Sequence, residues 1–209
     1  MIVSENGTSS ASGVMNLPRG IMGGRPSGPV PHLMKQSVLK EYAGKYNLRI
    51  LVETGTFYGD MVNAMKEEFD QIYSIELSQC LYKKCVRRFK GDKKIIIIQG
   101  DSGVEIKNVV DRIQRPALFW LDGHYSAGIT AKGENETPIC KELSHILNAP
   151  IRNHVIVIDD AWKFGSDPAY PSIEELTQFV MSRRDDLEIT IKYDSIRITP
   201  KQGVPGSIS

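Results

Sequence analysis

Acidic residues close five short apolar runs in this chain: Glu53, Glu76, Asp101, Asp122 and the pair Asp159-Asp160. The runs themselves lie at Arg49–Val52, Gln71–Ile75, Ile95–Ile98, Ala117–Leu121 and His154–Ile158. They are short, largely β-branched and unbroken, as the buried strands of a parallel sheet are. One acid after a strand is unremarkable, because turns favour Asp. Acids after all five point to a shared edge that receives positive charge. After the first run come two glycines, Gly55 and Gly59, in Leu-Val-Glu-Thr-Gly-Thr-Phe-Tyr-Gly-Asp, and then a helical pattern begins. Strand, glycine turn and helix is how an open α/β sheet builds a nucleotide pocket at its carboxyl edge. The bland alternative is an ordinary tight turn between a strand and a helix.

The glycine spacing is G-x-x-x-G rather than the G-x-G-x-x-G of a dinucleotide fold. A carboxylate at Glu53 would repel a pyrophosphate and would suit a cation. S-adenosylmethionine, with a sulfonium, an ammonium and no phosphate, meets that condition. Glu76 follows Glu53 by 23 residues, near the distance at which an acid on the second strand accepts from ribose hydroxyls. Asp101 and Ser102 lie where an adenine amino group could be met, or serve as turn and cap residues.

These acids need elements to place them. Strand and helix alternate five times, which predicts a mostly parallel, doubly wound α/β sheet with helices on both faces. Leu187–Tyr193 and Ser195–Thr199 read as two further strands joined at Asp194, a closing antiparallel hairpin that brings the sheet to seven strands. A helix from Leu33 to Tyr46 precedes the first strand and could cover its pocket. Ser78 is positioned to cap one helix, and Ser102/Glu105 and Ser172/Glu175 are capping-box signatures for two others. Residues 1–30, rich in Ser, Gly and Pro, read as a flexible arm, with folding over the pocket as the sharper alternative. Residues 31–200 read as one domain and 201–209 as a frayed tail.

The order of motifs resembles the class I S-adenosylmethionine-dependent methyltransferases over roughly residues 33–200. E-x-G-x-x-x-G follows the first strand, Glu76 the second, Gly-Asp the third and Leu-Asp-Gly-His-Tyr the fourth. The resemblance implies that Glu53, Gly55, Thr56 and Gly59 hold the methionine part, Glu76 the ribose, and Asp101 and Ser102 the adenine, with Asp122 beside the donor. It also implies that the fourth and fifth strands are neighbours. Asp122, Asp159 and Asp160 would then meet as three carboxylates, which repel unless protonated or bridged by a cation. An oxygen-rich set suits Mg²⁺, with Mn²⁺ or Ca²⁺ as other candidates. That arrangement is similar to metal-dependent O-methyltransferases of the catechol and macrolide-sugar types. The alternative is that Asp159 or Asp160 caps the following loop.

His124, two residues past Asp122, is the candidate base, since an imidazole pKa near 6.5 suits proton transfer at neutral pH. The same residue could instead be a loop histidine or a partner of the metal acids. Residues 126–137 read as a substrate lid. Trp162 and Phe164 read either as an apolar wall of the site or as packing beneath the loop.

Bulk properties narrow the partners. The 209 residues carry 26 basic and 25 acidic side chains, a net charge of +1, which gives no bulk case for nucleic acid or an anionic membrane. No apolar run approaches the roughly 18 residues of a membrane span. Cys80, Cys85 and Cys140 form no C-x-x-C pair and no even framework. They read as reduced thiols in a cytoplasmic protein. A small hydroxylated acceptor is the expected partner; the sequence does not encode an oligomeric state legibly, and a homodimer, the commonest assembly, is one possibility. Metal-independent methyl transfer and a nicotinamide-dependent oxidoreductase are the competing functions.

Overall fold

The computed structural model describes residues 30–123 and 137–201. The first half alternates helix and strand: α1 (His32–Lys45), β1 (Ile50–Thr54), α2 (Asp60–Met65), β2 (Gln71–Glu76), α3 (Gln79–Arg88), β3 (Ile95–Gln99) and α4 (Ser102–Val110). The second half continues with β4 (Leu118–Leu121), α5 (Ile139–Leu147), β5 (Val155–Ile158), a 3₁₀ turn (Ala161–Lys163) and α6 (Ile173–Met181). A hairpin of β6 (Leu187–Lys192) and β7 (Ser195–Pro200) closes the chain. The seven strands lie in the order β3-β2-β1-β4-β5-β7-β6. The first five strands pair in parallel, and β7 runs antiparallel between β5 and β6. The expected doubly wound sheet and its terminal hairpin are therefore present.

Strand alternation splits the core into two layers. Val52, Phe119, Leu121, Ile156 and Ile158 face one side, where Ile106 of α4, Leu143 of α5 and Leu176 of α6 cover them. Leu51, Leu118, Trp120, Val155 and Val157 face the other, beneath Leu39 of α1 and Met61 and Met65 of α2. Trp120 and Phe119 are among the largest fully buried side chains. Burying groups of that size contributes about 2–3 kcal/mol each, so the centre of the sheet is held from both faces.

Two local readings differ from the sequence expectation. The isoleucine run of β3 is only partly covered, with Ile96 36% exposed, because β3 is the edge strand and has a neighbour on one side only. The cap of α4 is Asp101, whose side chain accepts from Gly103 N at 2.8 Å, rather than Ser102 in a box with Glu105. Glu105 instead accepts from Asn108. The Ser172/Glu175 box and the Ser78 cap form as expected. Tyr193 and Asp194 both take positive φ, 51° and 59°, as a two-residue hairpin turn of mirror type requires.

The chain reverses its strand order between β1 and β4, and the gap is kept narrow by Gly55. Its φ is +83°, and a Cβ there would stand 2.5 Å from the Asp122 carbonyl oxygen. Gly55→Ala would strain the turn and force the β1 and β4 tips apart. We expect it to cost about 2–4 kcal/mol in chemical denaturation, from left-handed strain plus displaced backbone; a loss below about 0.5 kcal/mol would mean the tips are free to separate.

Candidate functional site

The site is built where β1, β2, β4 and β5 end. Glu53 lies one residue inside β1, in register with Ser74 and Trp120. Its carboxylate is therefore buried below the rim, at 2% exposure, rather than standing at the strand tip. Ser74 Oγ donates to Glu53 Oε2, and Thr56 Oγ1 shares a 2.6 Å hydrogen bond with Ser74. Burial, then the charges of Asp122 and Glu76, push Glu53 up to about 8 against the Ser74 hydrogen bond. A carboxyl in that condition is neutral near pH 7 until a cation arrives beside it.

Glu76 closes β2 and is spoken for by backbone. Its Oε2 accepts from Phe57 N at 2.8 Å and its Oε1 from Ser78 N at 2.7 Å. Burial raises its pKa, opposed by those two bonds. Each oxygen keeps a second lone pair, so a hydroxyl donor can still be received. The Glu76–Phe57 bond ties β2 to the glycine turn, where Phe57 itself takes φ 51°. Gly59 follows at φ +80°, and a Cβ there would meet the Phe89 ring at 2.6 Å.

A second group faces the α4–α5 side. Thr54, Ser102 and Glu142 are buried there, with Glu142 at 1% exposure. A Cβ on Gly123 would lie 3.0 Å from Thr54 Oγ1 and 3.3 Å from Ser102 Oγ. Burial lifts Glu142 to about 7, against hydrogen bonding from Ser102 and Thr54 and with the Asp101 charge adding to the rise. Among the described residues, neither Glu142 Oε1 nor Thr54 Oγ1 has a well-formed hydrogen bond. Glu142 joins Asp122, Gly123, Thr137, Asp159 and Tyr170 around one cavity. An orphaned acceptor in such a place is set to receive a donor from whatever fills the cavity. The sequence signal existed: Glu142 occupies the apolar stripe of α5, between Ile139, Leu143 and Ile146.

Asp122 and Asp159 follow neighbouring strands, paired Leu121 to Ile158, and both line that cavity. The chain brings them a cation of its own. Lys35 Nζ, from the first turn of α1, donates to Asp159 Oδ2 in an ion pair whose carboxylate is 3% exposed. Burial opposes the Lys35 charge, but the hydrogen bond to Asp159 and the charges of Asp159, Asp122 and Asp160 outweigh it and raise its pKa. Asp159 is itself pushed up by burial and by Asp122, with Lys35 holding it down. Asp160 stands apart in character. It takes left-handed φ 53° without capping the 3₁₀ turn, and pairs with Lys163 at 3.1 Å.

A divalent metal therefore meets mixed conditions. Carboxylate chemistry suits it, yet Asp159 is bonded to Lys35 and Asp160 to Lys163. No cluster of three His, Cys, Asp or Glu among the described residues has the geometry to hold a metal ion. An ion bound through Asp159 would have to displace the Lys35 ammonium that this carboxylate already receives. Among the described residues, the acids as arranged hold lysines rather than an open set of ligands for the expected ion.

Other expected residues divide. Phe164 is core, at 5% exposure against Tyr170, whereas Trp162 is 53% exposed. His124 and the expected lid through residue 136 lie outside the described residues, as do the arm before residue 30 and the tail after 201. The three cysteines are free, with Cys85 buried. No helix among the described residues is long and apolar enough to cross a membrane.

No protein-family model and no curated protein matches the sequence. Solved structures do match the fold. The O-methyltransferase of Bacillus cereus, solved with S-adenosylhomocysteine, is similar at TM-score 0.60 and 12% identity over 84% of each chain. TomG of Streptomyces achromogenes, an O-methyltransferase of tomaymycin synthesis solved with S-adenosylmethionine, is similar at 0.57 and 17%, covering 81% of this chain and 80% of that one. The 23S rRNA methyltransferase ErmE is similar at 0.50 and 17%, covering 84% and 70%. The chain thus shares its fold with these solved methyltransferases. The range of acceptors among these three leaves the acceptor to be argued from the site.

The Glu142 environment makes a pH prediction. Below about 4.5 the carboxyl is protonated whether folded or unfolded, and its full contribution is present; that contribution is lost as pH rises through about 7. Thermal melts should therefore show Glu142→Gln gaining on the parent between pH 4.5 and 8 by about 2–3 kcal/mol. A stability difference flat across that range would place Glu142 in contact with water.

Proposed function

We propose that this protein transfers the methyl group of S-adenosylmethionine to a hydroxyl of a small acceptor. The observation that carries the reading is the buried Glu53, on which the charges of Glu76 and Asp122 act, two residues from Gly55, whose bare backbone lies against that of Asp122 at the point where the strand order reverses. That is where an open α/β sheet binds its ligand. The acids supply negative charge for the donor's ammonium and sulfonium. Glu53 would be ionised by the ligand's own charge, Gly55 and Thr56 would pass beside the methionine part, and Glu76 would receive the ribose hydroxyls. Asp101 is occupied by its cap, so Ser102 and Glu142, whose Oε1 lacks a well-formed bond, are the better partners for the adenine or the acceptor.

In the transfer the acceptor oxygen attacks the methyl carbon, the carbon–sulfur bond breaks, and S-adenosylhomocysteine leaves. Chemistry of this kind depends on holding the oxygen in line with the methyl group. The cavity between Asp122, Thr137, Glu142, Asp159 and Tyr170 is the place for that oxygen. Its proton goes to a base, for which His124 is the proposal, two residues beyond Asp122. The near-neutral net charge favours a small polar acceptor over nucleic acid. The metal-assisted form of the reaction has less support than the form without it, since Asp159 and Asp160 are already paired with lysines.

Two measurements test the proposal. S-adenosylhomocysteine at saturation should raise the melting temperature by several degrees and NAD should not; the reverse pattern would make the protein an oxidoreductase. His124→Ala should lower kcat by about 10²–10⁴-fold while leaving the S-adenosylhomocysteine shift intact, and full activity in that variant would remove His124 as base.

A further inference from the structure

The carboxylate edge expected to need a metal carries a cation of its own. We propose that the Lys35 ammonium, delivered by α1 and bound to Asp159, is the resident counter-charge of this edge, making Lys35 a positioning residue of a metal-independent site. The inference rests on the methyltransferase reading for its consequence, but the charge arrangement stands without it.

Lys35 is placed by the helix, not by chance contact. Val38, Leu39 and Tyr42 are buried on α1, and Lys35 falls on the same stripe one turn earlier. The stripe points at the sheet face that holds Leu51, Trp120 and Val157. Lys35 Nζ lies 6.0 Å from the centre of the Trp120 ring and ends on Asp159, whose carboxylate is 3% exposed. Asp122 and Asp160 act on the same ammonium electrostatically. Lys35 thus bonds Asp159 directly and lends its charge to Asp122 beside it, while Asp160 also pairs with Lys163. A divalent ion offers the same service only to carboxylate oxygens that are not already receiving an ammonium.

The role follows from this placement. Asp159 lines the acceptor cavity beside Asp122. Held by Lys35, it keeps one orientation and remains an acceptor for the incoming hydroxyl. Removing the ammonium while keeping the stem, as Lys35→Met does, leaves the buried Asp159 carboxylate beside Asp122 without its bonded cation. The edge should then recruit a divalent ion.

Mn²⁺ provides the probe, followed by electron paramagnetic resonance and by thermal shift. The wild-type protein should show no saturable Mn²⁺ binding up to millimolar concentration and no change in melting temperature. Lys35→Met should melt lower without metal, bind one Mn²⁺ at least tenfold more tightly than wild type, and regain stability with it. Asp159→Asn added to Lys35→Met should abolish that binding. Lys35→Arg, which keeps the charge, should behave as wild type. One tight Mn²⁺ on the wild-type protein, lost in Asp159→Asn, would overturn the proposal, and so would a Lys35→Met protein that melts like wild type and binds no Mn²⁺. If Lys35→Met does not fold, the wild-type titration and Lys35→Arg still decide. S-adenosylhomocysteine binding, measured on the same wild-type sample, reports separately on the methyltransferase reading.

Discussion

Negative charge held in a dry place is the constraint on which this structure depends. Glu53, Glu76, Glu142 and Asp159 are all nearly inaccessible to water, and burial is the leading cause of each one's raised pKa. Such groups destabilise a fold unless each has a hydrogen bond, a cation or a proton. The chain answers differently at each: a serine for Glu53, two backbone amides for Glu76, a lysine for Asp159. Glu142 keeps an oxygen without a well-formed bond among the described residues. A sheet edge arranged in this way is poised for a positively charged ligand, because ligand charge supplies what the fold withholds.

The fold makes that arrangement affordable in structural terms. Helices on both faces bury apolar side chains from every central strand, so the acids can be placed at one rim without threatening the core. The reversal of strand order between β1 and β4 leaves a gap, and Gly55 allows the backbone of the two strands to approach within it. α1, which precedes the first strand, contributes both a covering layer and the Lys35 charge.

Much of this was legible in the sequence. Strand and helix types followed from apolar runs and caps, because each local signal agreed with its neighbours. The rim acids were legible because acids after apolar runs break the pattern conspicuously. Other features were hidden for physical reasons. The depth of Glu53 depends on β1 extending to Thr54 and on register with Ser74, which no single strand encodes. Asp101 and Ser102 both suit a cap, and the choice between them is settled by backbone geometry. Lys35 and Glu142 sit on apolar stripes of helices, a visible anomaly whose meaning required knowing what each stripe faces. The lysine that meets Asp159 was hidden because charge counting along one edge cannot include a residue more than a hundred positions away in the chain.

The central claim is that buried acids at this rim wait for ligand charge, and Glu53 tests it most directly. With a pKa near 8 when empty, it is mostly protonated at pH 7 and must ionise when the donor's ammonium settles beside it. Calorimetry of S-adenosylhomocysteine binding at pH 7, in buffers of different ionisation enthalpy, reads that proton. We expect close to one proton released per ligand bound, and none in Glu53→Gln. Binding without proton release in the wild-type protein, or release unchanged in the variant, would contradict this account.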